Sequence, residues 1–378
     1  MNHTAEIGST VVSDIRAPIV IAEAGQCMEG SVEKAAEMAT RAAAAGAWGF
    51  KVQLLHPEWI AAPDARRYWE HGDDVDQREV FRRNGLVPYP AWAAVAEHCA
   101  EIGIEFLGTP FDTAAVATLG SISRVIKVAS GDINNVRLLD AVRETGCAVI
   151  LSTGASTFRE IRWAVDRLAE HAGPVALLAC SLEYPTPPAR AALGRIETLR
   201  DLFPGLVVGY SDHTEGVWAA GPAVAHGARI LEKHYSIGGA RNVPDHEMAV
   251  DDLGLYDYVQ GAEQAWAGGG IGYLNLHDGE KPAARGARRS WYATAHIPKG
   301  AVIQPDDVIP LRPHDVDGAR VDVDLAGWKA TKPILAGTVV RQDAVKHPSA
   351  GRSPSARQAL DDGDVDSATR SLLGRFGR

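Results

Sequence analysis

LVVGYSDHT, residues 206–214, is the stretch that decides the fold of this 378-residue sequence, together with RILEKHYS at residues 229–236. Both are short apolar runs that end in hydroxyl, carboxyl and imidazole side chains. Continuous apolar runs are typical of parallel strands buried on both faces, whereas half-buried strands alternate apolar and polar residues. Six earlier stretches follow the same pattern: IVIAEAG (19–25), WGFKVQ (48–53), EFLGTPF (105–111), RVIKVASGD (124–132), AVILSTG (148–154) and VALLACS (175–181).

Helical patterns separate these runs, for example over residues 31–45, 90–102 and 157–171. Eight strands that alternate with helices predict an α/β fold, the (β/α)8 TIM barrel. A doubly wound open sheet is the alternative architecture, but the sequence lacks the GxGxxG and GxxxxGK[ST] phosphate loops that often accompany it. The polar and aromatic region 54–89 is then a long loop at the active-site end of the barrel.

The pattern changes after the eighth strand. Residues 268–289 are rich in Gly, Ala and charged residues and predict a linker. Two similar segments that follow, SWYATAHIPKGAVI and WKATKPILAGTVV, each contain an apolar stretch and a Gly turn, which predicts a small β-rich domain. We therefore expect a catalytic barrel over 1–267, a linker over 268–289, the β-rich domain over 290–347 and a disordered tail over 348–378.

Composition narrows the class of protein. The net charge of −10 argues against a broad nucleic-acid surface, which requires a basic face. The four cysteines are scattered without a CxxC pair, which fits free thiols in a reducing compartment. No apolar run has the length of a signal-peptide core or of a membrane span, so we expect a cytoplasmic protein with no membrane partner.

Polar side chains stand at the carboxyl ends of the predicted strands, where barrel enzymes carry their catalytic groups. Ser211 and His213 are two residues apart, as are Glu232 and His234, so each pair points to one face of its strand. The last two strands are neighbours, which brings both imidazoles within reach of one divalent ion. Two imidazoles completed by oxygen ligands suit Mn, Fe, Co or Zn better than Mg or Ca.

Two lysines lie within otherwise apolar strands, where an unpaired charge is costly to bury. Lys51 and Lys127 would act as point charges on a phosphate or a carboxylate. Short hydroxyls at neighbouring strand ends would complete an anion-binding site, those of Ser130, Ser152 and Ser211. The alternative for each single residue is a hydrogen-bonded or solvated strand-end side chain without a ligand.

Several segments resemble the sialic acid synthases, the N-acetylneuraminate synthase family. RRSWYATAHIPKGAVIQPDDVIPLRP (288–313) also resembles the antifreeze-like (SAF) domain that follows the barrel in that family. The resemblance implies metal-dependent condensation of phosphoenolpyruvate with an open-chain sugar aldehyde, which forms a 3-deoxy-2-keto sugar acid and releases phosphate. The resembling barrel segments are IAEAG, FKVQ, FLGTPFD, KVASGDI, ILSTGAS, EYPTP, VGYSDHT, EKHYS and PDHE.

The resemblance also implies roles by position. His213 and His234 match metal ligands, with Mn the expected ion and Mg, Co, Fe or Zn as alternatives. Arg312 matches an arginine delivered to the partner subunit's site, which implies a domain-swapped homodimer. The residues that match positions holding phosphoenolpyruvate are Lys51, Lys127, Ser130, Ser152 and Ser211. Those that match positions facing the acceptor are Glu23, Gln53, Tyr184, Asp245 and Arg312. The expected catalytic residues are Glu23, Lys51, Lys127, Glu232 and Asp245.

The sequence departs from the family pattern mainly at positions expected near the acceptor. GQCMEG at residues 25–30 replaces the family's GxNHNG, so the Asn-His pair is absent. Leu182 stands where Asn or Ser is common, Ala179 where His is usual, and Asp132 where the family has Glu. These changes predict an altered acceptor site and argue against N-acetylmannosamine as the acceptor.

Three other functions are compatible with the sequence. An aldolase would form a Schiff base on Lys51 or Lys127 without a metal. A related synthase would make a 3-deoxy-keto acid phosphate from a sugar phosphate, although the SAF-like segment favours the sialic acid type. A catalytically inactive carbohydrate-binding homologue would explain the lost Asn-His pair, but it would not need both the lysines and the histidines.

Overall fold

The computed structural model of the protein describes residues 3–69, 76–84, 86–238, 243–269 and 276–348. These residues form two units, one that ends at residue 269 and one that begins at residue 276. Within them, no helix combines the length and the apolar character needed to cross a membrane. The four cysteines are buried as free thiols.

The first unit begins with an antiparallel hairpin that the sequence analysis did not predict. Its strands are β1 (Thr4–Ile7) and β2 (Thr10–Ser13). Ile7 and Val12 are buried among the apolar side chains that fill one end of the barrel interior. Strands this short carry too few residues for their alternation to stand out from the surrounding sequence.

Eight parallel strands then close into a barrel, which confirms the predicted fold class. The alternative of a doubly wound open sheet is wrong, because the last barrel strand pairs with the first: His234 lies opposite Glu23. The strands are β3 (Ile19–Glu23), β4 (Gly49–Leu54), β5 (Glu105–Pro110), β6 (Val125–Val128), β7 (Ala148–Ser152), β8 (Val175–Cys180), β9 (Val207–Asp212) and β10 (Ile230–His234).

Helices cover the outside of the barrel, and several begin at a side chain that caps their first turn. Ser31, Asp112 and Asn135 each accept a hydrogen bond from a backbone N–H three residues later. The helix predicted over 157–171 ends at Arg167. The helices are α1 (Val32–Ala44), α2 (Pro57–Ile60), α3 (Gln77–Asn84), α4 (Trp92–Ile102), α5 (Thr113–Ile122), α6 (Val136–Arg143), α7 (Phe158–Arg167), α8 (Gly194–Leu202), α9 (Ala220–Ala225) and α10 (Asp252–Gly269).

Side chains alternate along each barrel strand, so that one set points into the barrel interior and the other points outward to the helices. Ile21, Ile150 and Leu178 belong to the apolar cluster inside the barrel. Val149 and Leu177, one residue away, belong to the larger cluster between the barrel and its helices. A polar residue that stands two positions after an inward-pointing apolar residue therefore also points into the barrel, at its carboxyl end.

One inward-pointing position on β9 has room only for glycine. A Cβ atom added to Gly209 would lie 2.1 Å from the carbonyl oxygen of Ile230 and 2.6 Å from Cδ2 of Leu178. We expect Gly209→Ala to lower the free energy of unfolding by about 2–3 kcal/mol, because the backbone oxygen cannot move without breaking the barrel register. Urea unfolding measures this, with Gly194→Ala as the control.

Gly194 begins α8, and a Cβ atom there would meet no atom within 4 Å. Since alanine also favours helix over glycine, the control should be neutral or stabilising by up to about 1 kcal/mol. Equal stability changes in the two variants would contradict the close approach of β9 and β10.

The second unit is small and β-rich, as predicted for the segment after the barrel. Its antiparallel pairs are β11 (Ser290–Ala293) with β12 (Val308–Leu311), and β13 (Lys329–Ala330) with β14 (Val345–Lys346). The core of this unit contains Ile297, Ile303 and Val340.

Part of the range predicted as a linker, 268–289, is helical. α10 ends at Gly269, and α11 (Lys281–Ala287) follows a short 3-10 turn. Pro282 stands in the first turn of α11, where a missing N–H costs nothing, so the Pro and Gly content did not exclude a helix. The predicted tail lies outside the described residues from residue 349 onward.

Candidate active site

A cavity of about 460 Å³ opens at the carboxyl end of the barrel. It is lined by every predicted site residue of the first unit: Glu23, Lys51, Gln53, Lys127, Ser130, Ser152, Tyr184, Ser211, His213, Glu232, His234 and Asp245. Their strands converge there because parallel strands of a barrel end on one face.

Lys51 lies at the centre of a buried charge network on the cavity floor. Its Nζ atom lies 2.6 Å from Oε2 of Glu23 and 3.7 Å from Oε1 of Glu232. The same ammonium donates a hydrogen bond to Oγ1 of Thr109 at 3.0 Å. Burial works to lower the pKa of Lys51, but the two carboxylates outweigh it and raise that pKa. Lys51 is therefore held in its charged form.

Lys127 has weaker compensation. Its Nζ atom lies 3.7 Å from Oε2 of Glu232, whose other oxygen accepts a hydrogen bond from Oγ of Ser211 at 3.0 Å. Burial lowers the pKa of Lys127, and the nearby Glu232 only partly offsets it. An anionic ligand beside Lys127 would supply the missing counter-charge.

The two carboxylates of this network differ in their surroundings. Burial raises the pKa of Glu23, although Lys51 works against that shift. Burial would also raise the pKa of Glu232, but Lys127 and Lys51 outweigh it and the pKa is lowered. Nε2 of Gln53 donates a hydrogen bond to the second oxygen of Glu23 at 3.0 Å. Glu232 is therefore the anion of the pair, and Glu23 is the carboxyl better able to hold a proton.

Hydroxyl groups stand beside the two lysines. Oγ of Ser130 accepts a hydrogen bond from the backbone N–H of Gly154 at 2.9 Å. Oγ of Ser152 is buried and has no hydrogen-bond partner among the described residues. A buried hydroxyl without a partner is costly, so Ser152 is suited to a ligand that enters the cavity.

His213 and His234 lie side by side, with their ring centroids 5.4 Å apart. Nδ1 of His213 donates a hydrogen bond to the carbonyl oxygen of Ser181 at 2.8 Å, so Nε2 is the nitrogen that would face an ion. Burial works to lower the pKa of His213, but Cys180 and the Ser181 carbonyl outweigh it and raise that pKa. Nδ1 of His234 has no hydrogen-bond partner among the described residues. Burial, with His213 next in effect, lowers the pKa of His234 well below its usual range, which favours the neutral, ligating form.

These two imidazoles fit a divalent ion. In the described part of the chain, no group of three or more His, Cys, Asp and Glu side chains is spaced to hold a metal. An ion held by His213 and His234 would therefore take its other ligands from water and from a bound substrate, as open catalytic sites do.

Tyr184, Asp245 and Gln53 form the side of the cavity expected to face an acceptor. Tyr184 stacks on His213 at 4.3 Å between ring centroids. Oδ2 of Asp245 accepts a hydrogen bond from the backbone N–H of Gln26 at 2.8 Å and lies 4.0 Å from Nδ1 of His234. Arg312 directly follows β12 in the second unit and is exposed, so its place in the acceptor site stays a prediction.

The departures from the family pattern fall into two groups. Gln26, Asp132 and Leu182 line the cavity. Cys27 and Ala179 are fully buried in the hydrophobic core between the barrel and its helices. The changes at Gln26, Asp132 and Leu182 therefore reach the cavity directly, whereas the side chains of Cys27 and Ala179 belong to the core.

Two charged residues at the ends of β9 and β10 point away from the cavity. Asp212 and Lys233 alternate with the cavity-facing residues and are completely buried on the outer side, with Nζ of Lys233 3.5 Å from Oδ2 of Asp212. Nζ of Lys233 also donates a hydrogen bond to the carbonyl oxygen of Thr214. This pair ties the loop after β9 to β10, the two elements that carry the histidines.

Sequence reasoning did not assign a role to Thr109 or Cys180, which also line the cavity. Each stands two residues after an inner apolar residue, Leu107 or Leu178, so the alternation of the strands was the signal that could have found them. Five aromatic residues of the lining lacked an assigned role as well: Trp59, Tyr68, Trp69, Phe81 and Phe111.

Two protein-family models match this chain. The NeuB family model matches residues 38–272, and the SAF domain model matches residues 288–346. The first match covers most of the barrel, and the second covers the strands of the β-rich unit.

Several known proteins are similar over most of the chain. An uncharacterized protein of Methanocaldococcus jannaschii is 32% identical, over 82% of this chain and 88% of its own. The N,N'-diacetyllegionaminic acid synthase of Legionella pneumophila is 29% identical, over 85% of this chain and 92% of its own. The crystal structure of an N-acetylneuraminic acid synthetase from Leptospira borgpetersenii is 28% identical with a TM-score of 0.67, over 74% of this chain and 96% of that chain.

Proposed function

This chain belongs to the NeuB family, and we propose that it is a transferase that condenses phosphoenolpyruvate with an open-chain sugar aldehyde. The relatives named as synthases of sialic and legionaminic acids support this reaction class. The product would be a 3-deoxy-2-keto sugar acid, and the enol phosphate would leave as inorganic phosphate.

The main support for this proposal is that one cavity combines an anion-binding site with a pair of imidazoles. Lys127, only weakly paired at 3.7 Å, and the unpartnered hydroxyl of Ser152 suit a ligand with several negative charges. His213 and His234 lie at the same cavity, where an ion would adjoin the bound anion. Phosphoenolpyruvate carries both a phosphate and a carboxylate, which matches two lysines.

The proposed mechanism assigns the chemistry to named residues. A divalent ion on His213 and His234, with Mn the ion we expect, would polarise the aldehyde as a Lewis acid. Lys127 and the serine hydroxyls would hold the phosphate, while Lys51 would hold the carboxylate and the charge that develops in the reaction. The methylene carbon of phosphoenolpyruvate would bond to the aldehyde carbon, and water would add to the neighbouring carbon that carries the phosphate. The carbon–oxygen bond to phosphate would then break as the new hydroxyl becomes the keto group. The two protons of the water would end on the former aldehyde oxygen and on the leaving phosphate.

Two carboxyl groups are placed for the proton steps. Glu23, whose pKa is raised by burial, is suited to take a proton from the attacking water and to hold it. Burial also raises the pKa of Asp245, which lines the same cavity and is suited to orient a hydroxyl of the acceptor. Glu232 would stay ionised between the two lysines and keep both of them aligned.

The acceptor is proposed to differ from N-acetylmannosamine. Leu182 and Gln26 line the cavity at positions where the sequence departs from the family pattern. An apolar side chain at residue 182 can accept no hydrogen bond from an acceptor hydroxyl, which favours a less polar acceptor. A homodimer that shares Arg312 between subunits belongs to the same proposal, and the exposure of this residue leaves it accessible to a partner.

The test measures phosphate release from phosphoenolpyruvate in the presence of Mn, with a panel of sugar aldehydes. We expect turnover with at least one aldehyde, loss of at least about 100-fold after removal of metal by EDTA, and recovery when Mn is restored. Phosphate release that is indifferent to EDTA would contradict the metal assignment. No phosphate release with any aldehyde would favour an inactive binding protein.

A Schiff-base aldolase is the second candidate, because the lowered pKa of Lys127 is typical of a nucleophilic lysine. Lys51 is unsuited to that role since its two carboxylate partners keep it protonated. Borohydride reduction in the presence of pyruvate distinguishes the two candidates. Trapping of a covalent adduct at Lys127 would support the aldolase, and its absence together with phosphate release would support the condensation.

A further inference from the structure

The cavity has two chemically different ends. Its floor carries the buried lysines, carboxylates and imidazoles described above. Its outer part is lined by five aromatic residues, of which four belong to the long segment between β4 and α4: Trp59, Tyr68, Trp69 and Phe81. An acceptor whose aldehyde reaches the floor would therefore place its far end among aromatic rings.

The described part of this segment has a small core that holds Phe81 and, through it, Trp69. Phe81 packs with Leu55 and Ala61, and Trp69 contacts Phe81 at 6.3 Å between ring centroids. An ion pair between Arg82 and Glu58, at 2.9 Å, links α3 to α2. The described residues of this segment therefore form one wall of the cavity.

Two of its rings remain exposed although they line the cavity. Trp59 is 62% exposed and Tyr68 is 59% exposed, whereas Trp69 is 7% exposed. Other large apolar side chains of this chain are exposed too, but among the described ones only Trp59 and Tyr68 also line the cavity. A flat ligand that stacked on these two rings would be stabilised because it would bury apolar surface that is exposed to water in the folded protein.

Neighbouring rings orient both of these side chains. Trp59 stacks on His56, with ring centroids 4.3 Å apart and an interplanar angle of 25°. Tyr68 meets Tyr184 edge to face at 6.0 Å, and Tyr184 in turn stacks on His213. A row of rings therefore runs from the histidine pair through Tyr184 to Tyr68, and Trp59 lines the same cavity as part of a separate stacked pair.

The described lining residues of this chain place their lysines at one end of the cavity. Among the described lining residues, Lys51 and Lys127 are the only lysines or arginines, and both lie on the floor. Two arginines of the aromatic segment are engaged elsewhere: Arg78 donates to the carbonyl oxygen of Ala61 at 2.6 Å, and Arg82 pairs with Glu58.

We infer that Trp59 and Tyr68 form a stacking subsite, and that the preferred acceptor is an aldehyde carrying a flat unsaturated ring, such as a nucleobase or an aryl group, at its far end. This inference rests on the proposed condensation for the identity of the reacting end. The stacking subsite itself depends only on the geometry of the aromatic wall.

The test compares matched aldehydes. Adenosine 5′-aldehyde is set against the methyl ribofuranoside 5′-aldehyde, which has the same aldehyde and sugar but no base. We expect kcat/KM for phosphate release to favour the adenosine compound by roughly tenfold or more, as base–aromatic stacking allows. Trp59→Ala and Tyr68→Ala should each remove most of this preference. Trp163→Ala, which changes an exposed tryptophan of α7 that is absent from the cavity lining, should retain it.

A binding measurement keeps the inference testable if no aldehyde is turned over. Calorimetric titration with adenosine, which cannot react, should show binding to the unaltered protein and to Trp163→Ala, with at least roughly tenfold weaker binding to Trp59→Ala. Adenosine binding without turnover would support the stacking subsite while contradicting the condensation.

Three results would overturn the stacking subsite. One is an equal preference for the two matched aldehydes in the unaltered protein. Another is absence of adenosine binding both with and without phosphoenolpyruvate. The third is an unchanged preference for the adenosine compound in both Trp59→Ala and Tyr68→Ala, since the base would then bind elsewhere.

Discussion

His213→Ala is expected to abolish phosphate release, by a factor of at least about 10³, while the barrel stays folded. The proposed metal would supply several kcal/mol of stabilisation to the transition state, and each 1.4 kcal/mol corresponds to tenfold in rate. His213 contributes one hydrogen bond to Ser181 and a stacking contact with Tyr184, so its removal should lower the free energy of unfolding by only about 1–3 kcal/mol.

Three measurements separate the loss of metal from the loss of fold. Calorimetry with Mn should show that His213→Ala loses the binding seen in the unaltered protein. Urea unfolding should show a single cooperative transition. His98→Ala, which changes a histidine of α4 bonded to Thr40, should retain both Mn binding and turnover. Full activity in His213→Ala would show that this histidine is not a metal ligand.

Lys51→Met should have the largest effect on stability, with a loss of about 3 kcal/mol in the free energy of unfolding. The Lys51 side chain is 4% exposed and is the partner of Glu23 at 2.6 Å, so its removal leaves a buried carboxylate without its counter-charge. Turnover should fall by at least about 100-fold, because Lys51 would also stabilise charge on the substrate.

The pH dependence of this effect follows from Glu23. Burial already raises the pKa of Glu23, and loss of Lys51 would raise it further. A carboxyl whose pKa is higher in the folded state than in the unfolded chain destabilises the fold as the pH rises above the unfolded value. The difference in stability between Lys51→Met and the unaltered protein should therefore shrink toward pH 4 and grow toward pH 8.

Two further variants serve as controls for Lys51→Met. Lys127→Met should cost less stability, about 1–2 kcal/mol, since the nearest carboxylate oxygen lies 3.7 Å from its ammonium. Adding Glu23→Gln to Lys51→Met should recover at least about 1 kcal/mol, because it removes the uncompensated charge. Additive losses in that double variant would contradict the ion pair.

The sequence predicted the barrel because each strand is a continuous apolar run, and this signal does not depend on distant contacts. It also placed the candidate residues at the strand ends, so twelve of them line one cavity. The two-residue alternation grouped Ser211 with His213 and Glu232 with His234, and all four line the cavity. Asp212 and Lys233, which alternate with them, are buried on the outer side.

Other features could not be read from the sequence for physical reasons. The hairpin of β1 and β2 is stabilised by burial of Ile7 and Val12 within the barrel, which no local pattern records. The helix α11 lies in a stretch that contains Gly and Pro, and the helix propensity of these residues is too low to predict a helix. Cys27 and Ala179 were expected near the substrate, but their burial depends on how the helices pack.

By itself, the sequence determined that this protein is a barrel of the NeuB type with lysines, serines and two histidines at the strand ends, because periodicity and motif spacing are local properties of the chain. Only the tertiary structure decided which of those side chains share a charge network, which departures from the family reach the cavity, and which aromatic rings complete its wall. The reason is that pairing distances, burial and pKa shifts depend on residues far apart in sequence that closure of the barrel brings together.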